Sequence, residues 1–322
     1  MGIVSLFRSR VLWLFIIASV FFGGTFVGVR AGLPDFPPIL FVALRYDIAT
    51  IALFTYVLLK YPINDVIPKN KNDIFSILIA GVIAIGAANG FLFIGQIEVT
   101  SAVAAIIFSL IPVFSPILAS FLLEDESLSI EGIIGTIVSL FGVTMVIGIT
   151  PSTLLNSLSM STLLVLTGAF CTSFGSVAIR KSSDYTSINS TIRTAWALPV
   201  SALMLHYISF SIGESFSTIS WNYTSLTSLI YVGIFAGAIA YVAYFELLDE
   251  IGAIKSSIVF YISPVVATIG GWLLLGEPLS PTSAVGFSII FIGFLILGWK
   301  TISSTITHYL NNRKESNFNF HL

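Results

Sequence analysis

Ten apolar stretches, each near twenty residues long, recur along this 322-residue chain and decide which solvent it can fold in. A helix needs about twenty apolar residues to cross about 30 Å of hydrocarbon at 1.5 Å per residue. The stretches cover residues 11–29, 38–59, 74–95, 101–123, 132–149, 161–179, 188–208, 225–247, 254–275 and 283–299. Membrane-spanning strands would be shorter and would alternate apolar with polar residues, whereas these runs are continuous. The expected fold is an all-α polytopic membrane protein with ten transmembrane helices. Composition agrees: 9% of residues are charged, against about a quarter in soluble domains.

Charge and cysteine content exclude several functions. A net charge of −2 with no basic block leaves nothing to neutralise a nucleic-acid backbone. The single cysteine, Cys171, and three widely separated histidines, His206, His308 and His321, offer neither a disulfide nor a metal site, so no cofactor or metal is expected. No Gly-x-x-x-x-Gly-Lys-Ser/Thr loop occurs, so ATP is not expected to drive the protein. Ser109 and His206, the nearest approach to a nucleophile and base, lie far apart in sequence, and no enzyme activity is expected.

The first stretch follows Arg8 and Arg10 but is too long for a signal-peptide core and lacks a small-x-small cleavage site, so it reads as a retained helix. Placing the N-terminus inside puts Arg8, Arg10, Lys60, Lys69, Lys71, Arg180, Lys181, Lys255, Lys300, Arg313 and Lys314 on the inner side and only Arg30 outside. Such a bias predicts cytoplasmic termini in the cell (inner) membrane. The polar tail after Trp299 is expected to extend into solvent.

The second half resembles the first. At an offset of 152 residues, Asn89 pairs with Tyr241, Phe93 with Phe245, Glu98 with Glu250, Ser109 with Tyr261 and Pro112 with Pro264. At 148 to 150, Arg45 falls on Arg193 and Arg30 on Arg180. Five helices per half make the second half enter the membrane from the opposite side, which predicts two inverted five-helix repeats. The expected division is a cytoplasmic segment at 1–10, repeats at 11–150 and 151–300, and a cytoplasmic tail at 301–322. Inverted repeats suit alternating access around a midplane site, though duplication can also supply only a stable bundle.

Several motifs follow this order: Phe22-Gly23-Gly24, Arg45-Tyr46, TSAVAAIIFSLIPVF from Thr100, IKSSIVFYISPVV from Ile254, and Leu275-Gly276-Glu277-Pro278-Leu279. Together they resemble the ten-helix drug/metabolite transporter superfamily and its EamA-type group across residues 12–299. Phe22 stands where that group commonly has Trp, and Leu123-Glu124-Asp125-Glu126 replaces a Leu-Gly-Glu. The resemblance implies a secondary transporter that exports a small organic metabolite, an amino acid or related compound, through a cavity walled by helices 3, 4, 8 and 9. It leaves a sugar-phosphate or nucleotide-sugar carrier as the alternative, whose cations would be Lys255, Arg45 and Arg193.

Candidate site residues come from those helices. Asn89, Phe93 and Gln96 share one face of helix 3, and Tyr241, Tyr244, Phe245 and Leu248 share one face of helix 8. The expected substrate contacts are Asn89, Ser109, Tyr241, Tyr244 and Tyr261, with Phe93, Phe245 and Trp196 as apolar walls. Asn89 can equally serve as an interhelical hydrogen bond, and the aromatics as packing. Pro112, Pro116 and Pro264 interrupt helices 4 and 9 and form candidate hinges.

Arg45 lies about 10 Å and Arg193 about 8 Å from a membrane surface by helical rise. Both can snorkel, or act as gate cations that attract carboxylates or exchange ion-pair partners. Asp47, at about 13 Å depth, is the candidate for proton coupling, with Glu246 a weaker one. Gly24 with Gly28, Gly86 with Gly90, and Gly233 with Gly237 are spaced for close helix packing within one bundle, consistent with a functional monomer.

Overall fold

The structure is a computed structural model and describes residues 2–123, 130–147, 159–182, 185–278, 281–282, 284–293 and 295–296. The tail at 301–322, the acidic turn at 124–126 and Leu279 lie outside the described residues. Among the described residues, ten principal helices run in chain order. They are α1 (Gly2–Gly32), α2 (Pro38–Lys60), α3 (Lys71–Gly95), α4 (Ser101–Leu122), α5 (Ile130–Ile147), α6 (Met160–Ser182), α7 (Ser190–Ser211), α8 (Tyr223–Ile251), α9 (Ala253–Leu275) and α10 (Ala284–Gly293). Among the described residues there is no strand.

Seven of them, α1 to α4, α6, α8 and α9, are long and apolar enough to cross a membrane by length and composition. The described parts of α5 and α10 hold shorter apolar segments, and α7 spans 22 residues but carries Arg193 and His206. Each expected apolar stretch overlaps a helix among the described residues. The helices overrun their apolar stretches where caps allow: α8 begins at Tyr223 because the Asn222 side chain accepts from the Ser225 amide and the Ser225 hydroxyl answers in a capping box. Asn70 and Asp73 build the equivalent box at α3, 152 residues earlier.

Neither α3 nor α8 is uniform. Residues Ile79–Ala87 of α3 and Tyr231–Ile239 of α8 wind as π-helix, again 152 residues apart. A Cβ on Gly81 would lie 2.7 Å from the Ala197 carbonyl oxygen and 2.8 Å from Val200 Cβ, whereas one on Gly233 would lie 3.3 Å from the Arg45 carbonyl oxygen and 2.9 Å from Ile48 Cβ. Ala197 and Val200 are themselves 152 residues after Arg45 and Ile48. α3 thus lies on α7 as α8 lies on α2. The same reciprocity appears where Gly142 approaches the Gly286 carbonyl and Gly293 approaches that of Gly135. Two halves that exchange contacts in this way are related by an approximate two-fold axis.

These contacts correct one part of the sequence reading. The register in α2 and α7 is 152, so the position matching Arg45 is Ala197, and Arg193 sits one turn away. The 148-residue offset pairs two arginines that lie one helical turn apart in the 152-residue register.

α4 breaks at Ser109 and Leu110, and Pro112 opens its second piece; Pro116 lies within that piece. α9 breaks at Ser257 and Ile258, one turn before the position matching Ser109, and Pro264 lies inside its longer piece. Proline cannot donate to the carbonyl four residues back; for Pro112 and Pro264 those residues are Phe108 and Phe260.

One end of the bundle, where α1 finishes, is tied by Glu277. α9 stops at Gly276, which adopts φ +65°, a left-handed conformation suited to glycine. The turn aims Glu277 at the start of α4, where its carboxylate accepts from the Ser101 amide at 3.1 Å and the Ser101 hydroxyl at 3.2 Å. Arg30 Nε approaches it at 3.9 Å and donates through Nη1 to the Gln96 and Ile97 carbonyls. At the other end, where α1 begins, Arg10 pairs with Glu246 at 2.9 Å and Glu250 at 2.8 Å.

The six glycines of the spaced pairs face other helices of the same chain: Gly24 and Gly28 meet α8, Gly86 and Gly90 meet α7, and Gly233 and Gly237 meet α2.

Candidate functional site

A small cavity of about 30 Å³, room for about one water-sized molecule, lies among the buried helices. α1 supplies Phe22, Thr25 and Phe26, and α2 supplies Arg45; α3 supplies Ala84, Asn89 and Leu92, and α4 supplies Phe108. Thr172 and Ser176 come from α6, Tyr241, Tyr244 and Phe245 from α8, and Phe260 from α9. All of these residues are buried. The wall is aromatic and hydroxylic, it contains no carboxylate, and its single charged group is Arg45.

Asn89 and Tyr241 form its centre. Asn89 Nδ2 donates to Tyr241 Oη at 2.7 Å and to the Ile85 carbonyl at 2.9 Å. Residues matched by a two-fold operation can touch only beside the axis, so this bond marks where the axis passes. Phe108 and Phe260, another matched pair, line the same cavity. Asn89 and Tyr241 each sit just past a π-helical segment, whose wider turn rotates everything that follows. The segments thus set the direction in which both side chains point.

Arg45 reaches the same cluster. Its Nη1 donates to Asn89 Oδ1 and its Nη2 to the Ala236 carbonyl, both at 3.1 Å, and Ala236 belongs to the π segment of α8. The guanidinium lies 5.0 Å from the Tyr46 ring centroid and 5.7 Å from that of Phe93. Tyr46 Oη is 3.2 Å from Tyr241 Oη. Of the two readings of Arg45, snorkelling is corrected: the side chain is 0% exposed and turned inward, toward Asn89 of α3 and Ala236 of α8. Depth along a helix does not fix which way a side chain faces.

Tyr244 and Phe245 line the same cavity. Tyr244 shares a hydrogen bond with Ser176 at 3.0 Å, and Phe245 stacks on Tyr241 at 5.9 Å between centroids. Phe93 stands behind Arg45, edge-on to Phe41, outside the lining.

Three expected contacts lie elsewhere. Ser109 turns its hydroxyl back to the Ile106 carbonyl at 2.6 Å. Tyr261 packs with Ile106, Leu110, Val113 and Ile290 in a separate apolar cluster. Trp196 donates from Nε1 to the Val66 carbonyl at 2.8 Å and packs on Phe54. Tyr261 meets α10 through Ile290, and α7 supplies no residue to the cavity lining.

The charged candidates separate. Arg193 is 1% exposed, against the snorkelling expectation; it pairs with Asp249 at 2.9 Å and lies 5.9 Å from the Phe245 ring. Glu246 accepts from Thr191 Oγ1 at 3.0 Å as well as from Arg10. Asp47 faces away from Arg45 and pairs with His206 Nε2 at 2.7 Å, with 42% of its side chain exposed. Lys255 is exposed. No group of three potential metal ligands occurs among the described residues.

Sequence reasoning missed Thr172, Ser176 and Phe260, and also Phe22, Thr25, Phe26, Ala84, Leu92 and Phe108. The signal for the first two was present: Thr172 and Ser176 are hydroxyls at i and i+4 in an apolar helix, where the membrane leaves polar groups facing inward.

Comparison with known proteins agrees with this architecture. The chain is 26% identical to the uncharacterized transporter YoaV of Bacillus subtilis (strain 168), over 86% of this chain and 93% of that protein. It is 23% identical to the uncharacterized inner membrane transporter YedA of Escherichia coli (strain K12), over 91% of this chain and 89% of that one. A WAT1-related chloroplastic protein of Arabidopsis thaliana is 25% identical over 89% of this chain and 69% of its own length. A crystal structure superposes with a TM-score of 0.68 at 17% identity, covering 90% of this chain and 97% of that one, which is a likeness of fold. The model of the EamA-like transporter family matches twice, over residues 9–148 and 159–299. The chain therefore belongs to the EamA-like transporter family, within the drug/metabolite transporter superfamily, and is a multi-pass membrane transporter.

Proposed function

We propose that the protein is a secondary transporter that exports a small organic metabolite, an amino acid or related compound, by alternating access through the central cavity. The observation that carries this reading is the Asn89–Tyr241 hydrogen bond, made between matched residues beside the two-fold axis and inside a wholly buried cavity. A site on such an axis meets both membrane faces through equivalent halves, so one rocking motion exposes it to each in turn. Pro112, Pro116 and Pro264 lie where that motion would bend α4 and α9. Arg10, Glu246, Arg193 and Asp249 latch one end, and Arg30 with Glu277 the other.

The sugar-phosphate alternative is less favoured, because a dianion needs fixed cations in the cavity and only Arg45 lines it. Export and the amino-acid class rest on the family resemblance. Cytoplasmic termini rest on the distribution of Lys and Arg, and monomeric function on the inward-facing glycine pairs. We assign proton coupling, where transport is pH-driven, to Asp47 with its partner His206.

Counterflow in liposomes tests the transport reading. Purified protein should drive labelled amino acid uphill when unlabelled substrate is trapped inside, and a pH gradient should change the rate. Asn89→Ala and Tyr241→Ala should each lower the rate about tenfold, the worth of a buried hydrogen bond and its stranded partner. Saturation-free flux, or unchanged counterflow in both variants, would sink this assignment.

A further inference from the structure

We infer that Arg45 is the docking point for a carboxylate, so that the cavity selects monocarboxylate compounds with an apolar or aromatic body. The inference rests on the transport reading and names the substrate class of that same cavity.

Arg45 is fully buried, and among the described residues no carboxylate lies within ion-pair distance of it. The other buried arginine, Arg193, has Asp249. A guanidinium offers five N–H donors. In Arg45 two are engaged, by Asn89 Oδ1 and the Ala236 carbonyl, and Nε has no partner. Both engaged acceptors are neutral. A buried charge in a membrane protein is expensive unless it is paired, and a carboxylate accepting two parallel bonds is the pairing that fits this planar fork.

The rest of the wall describes the rest of the ligand. Phe22 stacks on Phe260 at 5.6 Å and meets Tyr241 edge-on at 5.1 Å, giving aromatic faces for an apolar body. Those faces can also take an ammonium group by cation–π attraction, so a zwitterionic amino acid fits as well as a simple acid. A second anionic group finds no second cation, because none of the other lining residues is basic. Ring faces of Tyr46, Phe93 and Tyr241 alone could also neutralise Arg45, and the test separates that case.

The test compares acids with their amides on the full-length protein. Binding of phenylalanine and 3-phenylpropanoate is measured against phenylalaninamide and 3-phenylpropanamide, and the same four compounds are used in counterflow. The acids should bind at least about tenfold more tightly than the amides. That preference should vanish in Arg45→Gln and partly return in Arg45→Lys. Asn89→Asp supplies a built-in carboxylate against Nη1; it should raise the thermal midpoint of the empty protein and abolish the acid preference, and it remains informative if Arg45→Gln does not fold. Equal binding of acids and amides, or an acid preference that survives in Asn89→Asp, would overturn the inference. Counterflow of amides alone would leave transport standing and remove the carboxylate assignment, whereas counterflow of none of the four would count against both.

Discussion

Gly175→Leu is expected to prevent accumulation of folded protein. Gly175 lies on α6 where it crosses α3, and a Cβ there would stand 2.5 Å from Ala84 Cβ, 2.7 Å from its Cα and 2.9 Å from its amide nitrogen. Two of those atoms are backbone, so no rotamer change relieves the clash. The helices must separate, and with them Ala84 and Ser176, which line the cavity. Overpacking in a close-packed interior costs about 1–3 kcal/mol when side chains can yield; here they cannot, and the expected loss exceeds that range. Gly90→Ala is the contrasting case, since its nearest neighbour is the Leu205 Cδ2 methyl at 3.3 Å. Detergent-extracted yield and size-exclusion profile should show Gly90→Ala close to the parent and Gly175→Leu aggregated or absent. A monodisperse Gly175→Leu protein would show that α3 and α6 do not cross as closely as described.

Asp249→Leu should be the most damaging single change among the ion pairs. Its partner Arg193 is 1% exposed, so removing the carboxylate strands a guanidinium beside Phe245 with no replacement anion among the described residues. Breaking a buried pair costs about 3–5 kcal/mol, and the partial water access of Asp249 points to the lower end. The double variant Arg193→Met with Asp249→Leu should recover most of the loss, because the desolvation of the charge disappears with the charge. SDS-induced unfolding of the two singles and the double supplies the coupling energy. Additive effects would mean that the pair carries no interaction. Arg10 should matter far less, since its side chain is 54% exposed and exposed pairs contribute little.

The ten helices and the duplication were legible because hydropathy and an offset of 152 residues both survive in a single sequence. The π segments were not, since a π turn leaves no mark on hydropathy; the matched glycines Gly81 and Gly233 were the available hint, being the points where those segments touch the opposite repeat. Asn89, Tyr241, Tyr244 and Phe245 were found by helical periodicity, which holds when a helix keeps one face inward. Ser109 and Tyr261 were chosen for lying near Pro112 and Pro264 on helices 4 and 9, and the structure places neither in the cavity lining. Arg45 was read by depth, whereas its orientation depends on α3 and α8 packing over it, a long-range fact that its neighbours in sequence do not encode.

The central claim, a buried cavity that opens alternately to two sides, is tested most directly by thiol accessibility. Ser176 lines the cavity, is 0% exposed and is close in size to cysteine. Ser176→Cys in a Cys171→Ser background, reconstituted in sealed vesicles, is treated with a membrane-impermeant thiol reagent from one side or the other. The account predicts slow labelling from both sides, with a substrate gradient raising one rate as it lowers the other. Labelling from one side only, or from neither while transport continues, would contradict it.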